Sequence, residues 1–162
     1  LESHHDPLAR LAIPFLRGAG FLEDEISESV YNRVMEIVIV LRGSLNCISE
    51  INDYAPIFFR RELPHDPTGN AARIMAEESV RPLRRLINNN LEGPPLSPAD
   101  FWKKTIGDAE EELGLKGKEL FLPLRVITTG RSVGPKLTSI LPLIPLDIIR
   151  ARIKDRSEKP PE

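Results

Sequence analysis

Apolar residues recur at three- and four-residue spacing between frequent proline and glycine interruptions, and no segment alternates convincingly with period two. That combination constrains the fold more than any other feature. It predicts an all-α chain of six to eight mostly short helices in two small packed subdomains, residues 1–66 and 67–162. An ordinary apolar content, 41%, supplies enough material for a core. The single cysteine, Cys47, excludes an internal disulfide and a cysteine-based metal cluster. No apolar run approaches the ~18 residues of a membrane span, and no signal peptide opens the chain, so a cytoplasmic protein with no membrane partner is expected. The chain starts without methionine and is read as a fragment.

Local signals place the helices. Asp6-Pro7 opens one carrying Leu8, Leu11, Ala12, Phe15 and Leu16. Glu25 to Leu41 bears the stripe Val30, Val34, Ile37, Val38 and Leu41, with Ile39 and Val40 widening it towards burial on most sides. Gly43-Ser44 breaks that helix. Asn46 is placed to cap the next, whose face is Ile48, Ile51, Ala55, Phe58 and Phe59, with Pro56 a point of kinking or early termination. Leu63 to Gly69 reads as a linker. Ala71 to Asn89 is helical, kinked or divided at Pro82. Ser97-Pro98-Ala99-Asp100 is the best helix start, a capping serine followed by proline. Trp102, Ile106, Ala109 and Leu113 form that helix's face, and Glu110 to Glu112 its solvated edge. Gly117 to Thr128 follows, distorted by Pro123. Pro135 opens a short helix with Leu137, Ile140, Leu141 and Ile144, and Leu146 to Lys154 a last basic one. The tail to Glu162 is expected to fray.

Charge is uneven along the chain. Lys116 to Arg156 holds nine basic and three acidic residues, net +6, whereas residues 1–115 hold twelve basic and nineteen acidic, net −7. An anionic partner is expected at the basic end. Catalytic chemistry is not expected. There is no GxxxxGK[ST], GxGxxG or HExxH, and His4, His5 and His65 stand beside no nucleophile. No metal site is expected, because adjacent His4 and His5 cannot share a helix face. The remaining candidate is binding, centred on Arg125 and Arg131. Arginine pairs bidentately with phosphate or a base edge and stacks on exposed bases. Nearby glycines admit a close backbone, and Pro135 leaves a helix N-terminus facing an anion. A helical protein-interaction module with no RNA role is the alternative.

The stretch KGKELFLPLRVITTGRSVGPKL resembles the C-terminal anticodon-binding region of bacterial and organellar glutamyl-tRNA synthetases, whose pattern is roughly GxKGKxLFxPLRxALTGRxxGPxL. Gly114, Lys116-Gly117-Lys118, Leu120-Phe121, Pro123-Leu124-Arg125, Thr129-Gly130-Arg131, Gly134-Pro135 and Leu137 carry the match, with Trp102 and the terminal helix in support. It is specific from Ser97 to Arg156 and looser from Leu8 to Pro64. The resemblance implies the all-helical, RNA-reading half of a class I glutamate–tRNA ligase, monomeric, whose ATP and Mg belong to a catalytic domain with H-I-G-H and K-M-S-K-S-type motifs that this chain lacks. It implies that Arg125 contacts the first anticodon base and that Gly134 and Leu137 line the pocket for the first two; Arg131 and Lys136 join the candidate site by the clustering of their charge with Arg125. Where some members place an arginine that selects cytosine as the third base, this chain has Gly43-Ser44, with Arg42 adjacent. Loss of that arginine is associated with charging glutamine tRNA as well as glutamate tRNA.

Overall fold

A computed structural model describes residues 6–157, with side chains from Pro7 to Lys154, and among them there is no β-strand. His4, His5, the Asp6 side chain and the tail to Glu162 lie outside the described residues. The chain divides into two compact units, Leu1–Phe59 and Arg60–Glu162.

The first unit contains α1 (Asp6–Gly18), α2 (Glu28–Leu41) and α3 (Ile51–Phe59), with 3₁₀ turns at Arg42–Ser44 and Ile48–Glu50. α1 packs on α2 and α3. Its core is Ala9, Ala12 and Leu16 against Val34, Ile37, Val38 and Leu41, with Ile51, Ala55, Ile57 and Phe58. Leu11 is 56% exposed and Phe15 is also on the outside, so small Ala9 and Ala12 let α1 approach its neighbours where the larger residues were expected. α2 starts later than its apolar pattern suggested. Ser27 caps it, its Oγ accepting the Val30 N–H at 3.2 Å. Only one face of α2 is buried, and Ile39 is 42% exposed. Asn46 is not the cap of the next helix. The cap position falls on Cys47, and the Asn46 backbone N–H donates to Glu50 Oε1 at 2.8 Å. α3 continues through Pro56 to Phe59, forgoing the bond to the Asn52 carbonyl. Arg33 ends it, donating to the Phe58 carbonyl and lying 4.6 Å from the Phe59 ring centre.

The second unit contains α4 (Ala71–Met75), α5 (Val80–Leu91), α6 (Pro98–Glu112), α7 (Lys118–Thr129), α8 (Leu137–Ile140), a 3₁₀ turn at Leu141–Leu143, and α9 (Leu146–Ser157). The break between α4 and α5 precedes Pro82. That places the proline in the first turn of α5, where no N–H is required. Ser97 caps α6 as expected, accepting the Asp100 N–H at 3.1 Å. Phe101 and Trp102 are buried edge to face, their centroids 4.9 Å apart. Glu110 to Glu112 are exposed. α7 is unbroken at Pro123. Leu120, Leu124 and Ile127 of α7 meet Ile148, Ile149 and Ile153 of α9 and the apolar face of α5 in the core. Residues 60–66 belong to this unit, ahead of the boundary expected at 66/67. They do not form a loose linker. Pro64 lies against Gly130, and Asp66 is buried at 6% exposure.

Three arginines join the helix ends of this unit. Arg150 of α9 donates to the carbonyl of Leu91, the last residue of α5, at 2.9 Å. Arg152 of α9 donates to Thr128 in the last turn of α7 and, at 2.6 Å, to the Arg60 carbonyl. Arg84 of α5 returns a bond to the Ile153 carbonyl of α9 at 2.8 Å. The first two contacts satisfy carbonyls that have no partner within their own helices. Arg152 is only 2% exposed. Burial lowers its pKa to about 10 against a raising influence of Glu62, and it remains a cation at neutral pH. Of the basic side chains described on the terminal helix, Arg152 is thus committed to the interior, whereas Arg150 and Lys154 are exposed.

Candidate nucleic-acid interface

The loop between α7 and α8 is built from the end of α7 outward. Thr128 Oγ1 donates to the Leu124 carbonyl at 2.8 Å, and Thr129 Oγ1 to the Arg125 carbonyl at 2.7 Å. Gly130 then closes the helix with φ 78°, a left-handed conformation, and its N–H returns to the Val126 carbonyl at 2.9 Å. A Cβ at this position would lie 2.3 Å from the Pro64 oxygen, so the position excludes a side chain on two grounds. The chain turns at once, because the Arg131 N–H donates to Thr129 Oγ1 at 3.1 Å. Ser132 is drawn inward and Val133 is turned out, 62% exposed.

Arg125 is half-buried on α7, and burial lowers its pKa. Among the described residues no carboxylate or carbonyl pairs with its guanidinium. Its Nη1 lies 3.1 Å from where a Cβ on Gly134 would stand, so the absent side chain at 134 leaves room for the guanidinium. The fold therefore brings Arg125 and Gly134 together across the loop. Arg131 is half-buried on the same loop. Lys136 is exposed and precedes α8. Leu137, the first residue of α8, is buried. The short helix expected at Pro135 begins at Leu137 and is one turn long, which leaves Pro135 in the loop and moves the helix N-terminus expected there two residues on. Arg42 and Ser44 are exposed in the 3₁₀ turn after α2, in the first unit. Among the described residues no group of His, Cys, Asp or Glu gathers as metal ligands, and no helix is long and apolar enough to cross a membrane.

The sequence reading missed Asp66. Burial alone would raise its pKa, but hydrogen bonds from Thr68, Ser132 and Ala71 outweigh that and hold it below the ordinary carboxylate value. The Asp-Pro-Thr spacing is the available local signal, a side-chain turn in which Thr68 donates both its N–H and its hydroxyl to Asp66.

Comparison with known proteins gives a concordant result. The family described as "Anticodon binding domain" matches residues 7–156. The chain is 30% identical over 148 residues to the glutamate–tRNA ligase of Bacillus licheniformis, covering 91% of this chain and 30% of the relative. It is 32% identical over 143 residues to glutamate–tRNA ligase 2 of Caldanaerobacter subterraneus, covering 88% and 29%. For the glutamate–tRNA ligase of Halalkalibacterium halodurans the identity is 31% over 149 residues, covering 92% and 30%. The chain thus spans under a third of the length of these relatives.

Proposed function

The chain belongs to the anticodon binding domain family, and on that premise we propose that it is the RNA-reading part of a cytoplasmic, monomeric glutamate–tRNA ligase. Its partner is the anticodon loop of a glutamate tRNA. ATP-dependent activation of glutamate, with Mg, falls to residues of the parent enzyme outside this chain. One observation carries the reading: Arg125 is half-buried, pairs with no acidic group among the described residues, and sits over Gly134 at the edge of a glycine-bearing loop. A partly desolvated cation held open in this way suits an unstacked base or a phosphate. Arg131 and Lys136 on the same loop add charge. Nothing among the described residues favours a protein-interaction module instead.

Binding of a glutamate-tRNA transcript by residues 1–162 should weaken steadily as salt is raised, because phosphate contacts release counterions. Arg125→Ala should weaken it further by about 1–3 kcal/mol. Fluorescence anisotropy titrations check both, and equal binding by variant and wild type removes Arg125 from the interface.

We further propose that the parent enzyme reads the third anticodon base loosely and charges glutamine tRNA too. In the turn at Arg42–Ser44, Gly43 and Ser44 offer backbone groups and a small hydroxyl, and the nearest guanidinium is that of exposed Arg42 beside them, not one at position 43 or 44. A guanidinium there would pair with the acceptor edge of cytosine and leave guanine donors unpaired, a penalty of about 1–3 kcal/mol. Aminoacylation of two transcripts differing only at that base is the test. A cytosine preference above ~100-fold in kcat/KM, near 3 kcal/mol, refutes the idea.

A further inference from the structure

The segment ahead of α4 touches the α7–α8 loop at two places. The first is the Pro64 backbone against Gly130. The second is Asp66, whose Oδ2 accepts from the Ser132 hydroxyl at 3.0 Å, from the Thr68 hydroxyl at 2.9 Å and from the Ala71 N–H at 2.9 Å. Its Oδ1 accepts the Thr68 N–H at 3.2 Å. The Thr68 and Ser132 hydroxyls also lie 2.9 Å apart. Ser132 is buried and stands between Arg131 and the exposed Val133. The loop is thus fastened at Gly130, Arg131 and Ser132, and is outward only from Val133.

We propose that Asp66 is a positioning residue for RNA binding: with exposed Thr68 and buried Ser132 it forms a partly buried clasp that holds Arg131 to Lys136 in the binding shape without itself touching RNA. The inference rests on the reading of this loop as an anticodon interface. Asparagine cannot replace the carboxylate. An amide NH₂ in place of Oδ2 faces three donors, and in place of Oδ1 it faces the Thr68 N–H, so at least one part-buried donor loses its acceptor. The loop then spends part of its time unfastened. Apparent affinity falls in proportion to the fraction that remains competent.

The direction of the effect separates this role from plain electrostatics. Asp66→Asn removes a negative charge, and Coulomb attraction to tRNA alone would tighten binding. The clasp requires the opposite. Glutamate-tRNA binding by residues 1–162 is measured at a temperature where circular dichroism shows each variant fully helical. Asp66→Asn should raise Kd about tenfold with the slope of log Kd against log salt unchanged, because no phosphate contact is lost. Ser132→Ala, a milder change for the case in which Asp66→Asn does not fold, should weaken binding in the same direction. Ser132→Thr, which keeps the hydroxyl, should restore it. Unchanged or tighter binding by folded Asp66→Asn or Ser132→Ala overturns the clasp while Arg125→Ala still reports the interface. A wild-type chain without salt-dependent tRNA binding overturns the interface reading, and the clasp with it.

Discussion

Gly130→Ala is expected to destabilise the second unit by about 3–5 kcal/mol, because two separate costs fall on one methyl group. The left-handed φ of 78° costs an alanine about 1–2 kcal/mol wherever it occurs. The remainder comes from the 2.3 Å approach to the Pro64 oxygen and the 3.0 Å approach to its nitrogen, which are backbone atoms unable to rotate aside. The α7 terminus or the Pro64 segment must move, and Asp66 moves with it. Gly69→Ala is the control. Gly69 has φ 77° but open space where its Cβ would stand, so only the conformational cost of about 1–2 kcal/mol should appear. Urea denaturation of both variants measures the difference. Equal losses would mean that Pro64 yields freely to the added methyl.

Arg152→Ala should cost about 2–5 kcal/mol. It removes the donor to the Thr128 and Arg60 carbonyls and empties the space of a side chain that is only 2% exposed. Arg152→Met tests which loss dominates. It keeps most of the volume and carries no desolvation penalty, so it should recover part of the stability. If methionine does as badly as alanine, the carbonyl bonds are the larger part. If it matches wild type, the guanidinium gained no more from its bonds than it lost in leaving water. Denaturation midpoints at constant m-value decide between these outcomes.

These two sites also mark where sequence reading stops. The Ser97 cap and the all-α class were legible because their physics is local: a serine three residues before the N–H it accepts, and apolar spacing within one helix. The face each helix buries was less legible. A run such as Ile37 to Leu41 is apolar on adjoining faces, and only the partners decide that Ile39 stays outside. Arg152 was not legible at all, and Asp66 only as the start of a local turn with Thr68. The acceptor of Arg152 at Arg60 is 92 residues away, and Ser132 is 66 residues from Asp66. In the sequence Arg152 is a charged residue like any other, and nothing near Asp66 points to Ser132. Arg125 and Gly134 could be singled out by residue type, but their meeting across the loop depends on the turn at Gly130.

The arginine contacts between helix ends carry a consequence for biosynthesis. A polypeptide leaves the ribosome N-terminus first, so α5 and α7 emerge before α9. Their terminal carbonyls at Leu91 and Thr128 then wait for Arg150 and Arg152 from the last helix. The Arg84 side chain waits for Ile153 in the same way. The first unit, whose Arg33 and Phe58 are both made early, can finish folding while synthesis continues. The second cannot close until residues 146–157 are free of the exit tunnel. The Thr128 carbonyl at the base of the loop carrying Arg125 and Gly134 thus gains its Arg152 partner only once α9 has been made.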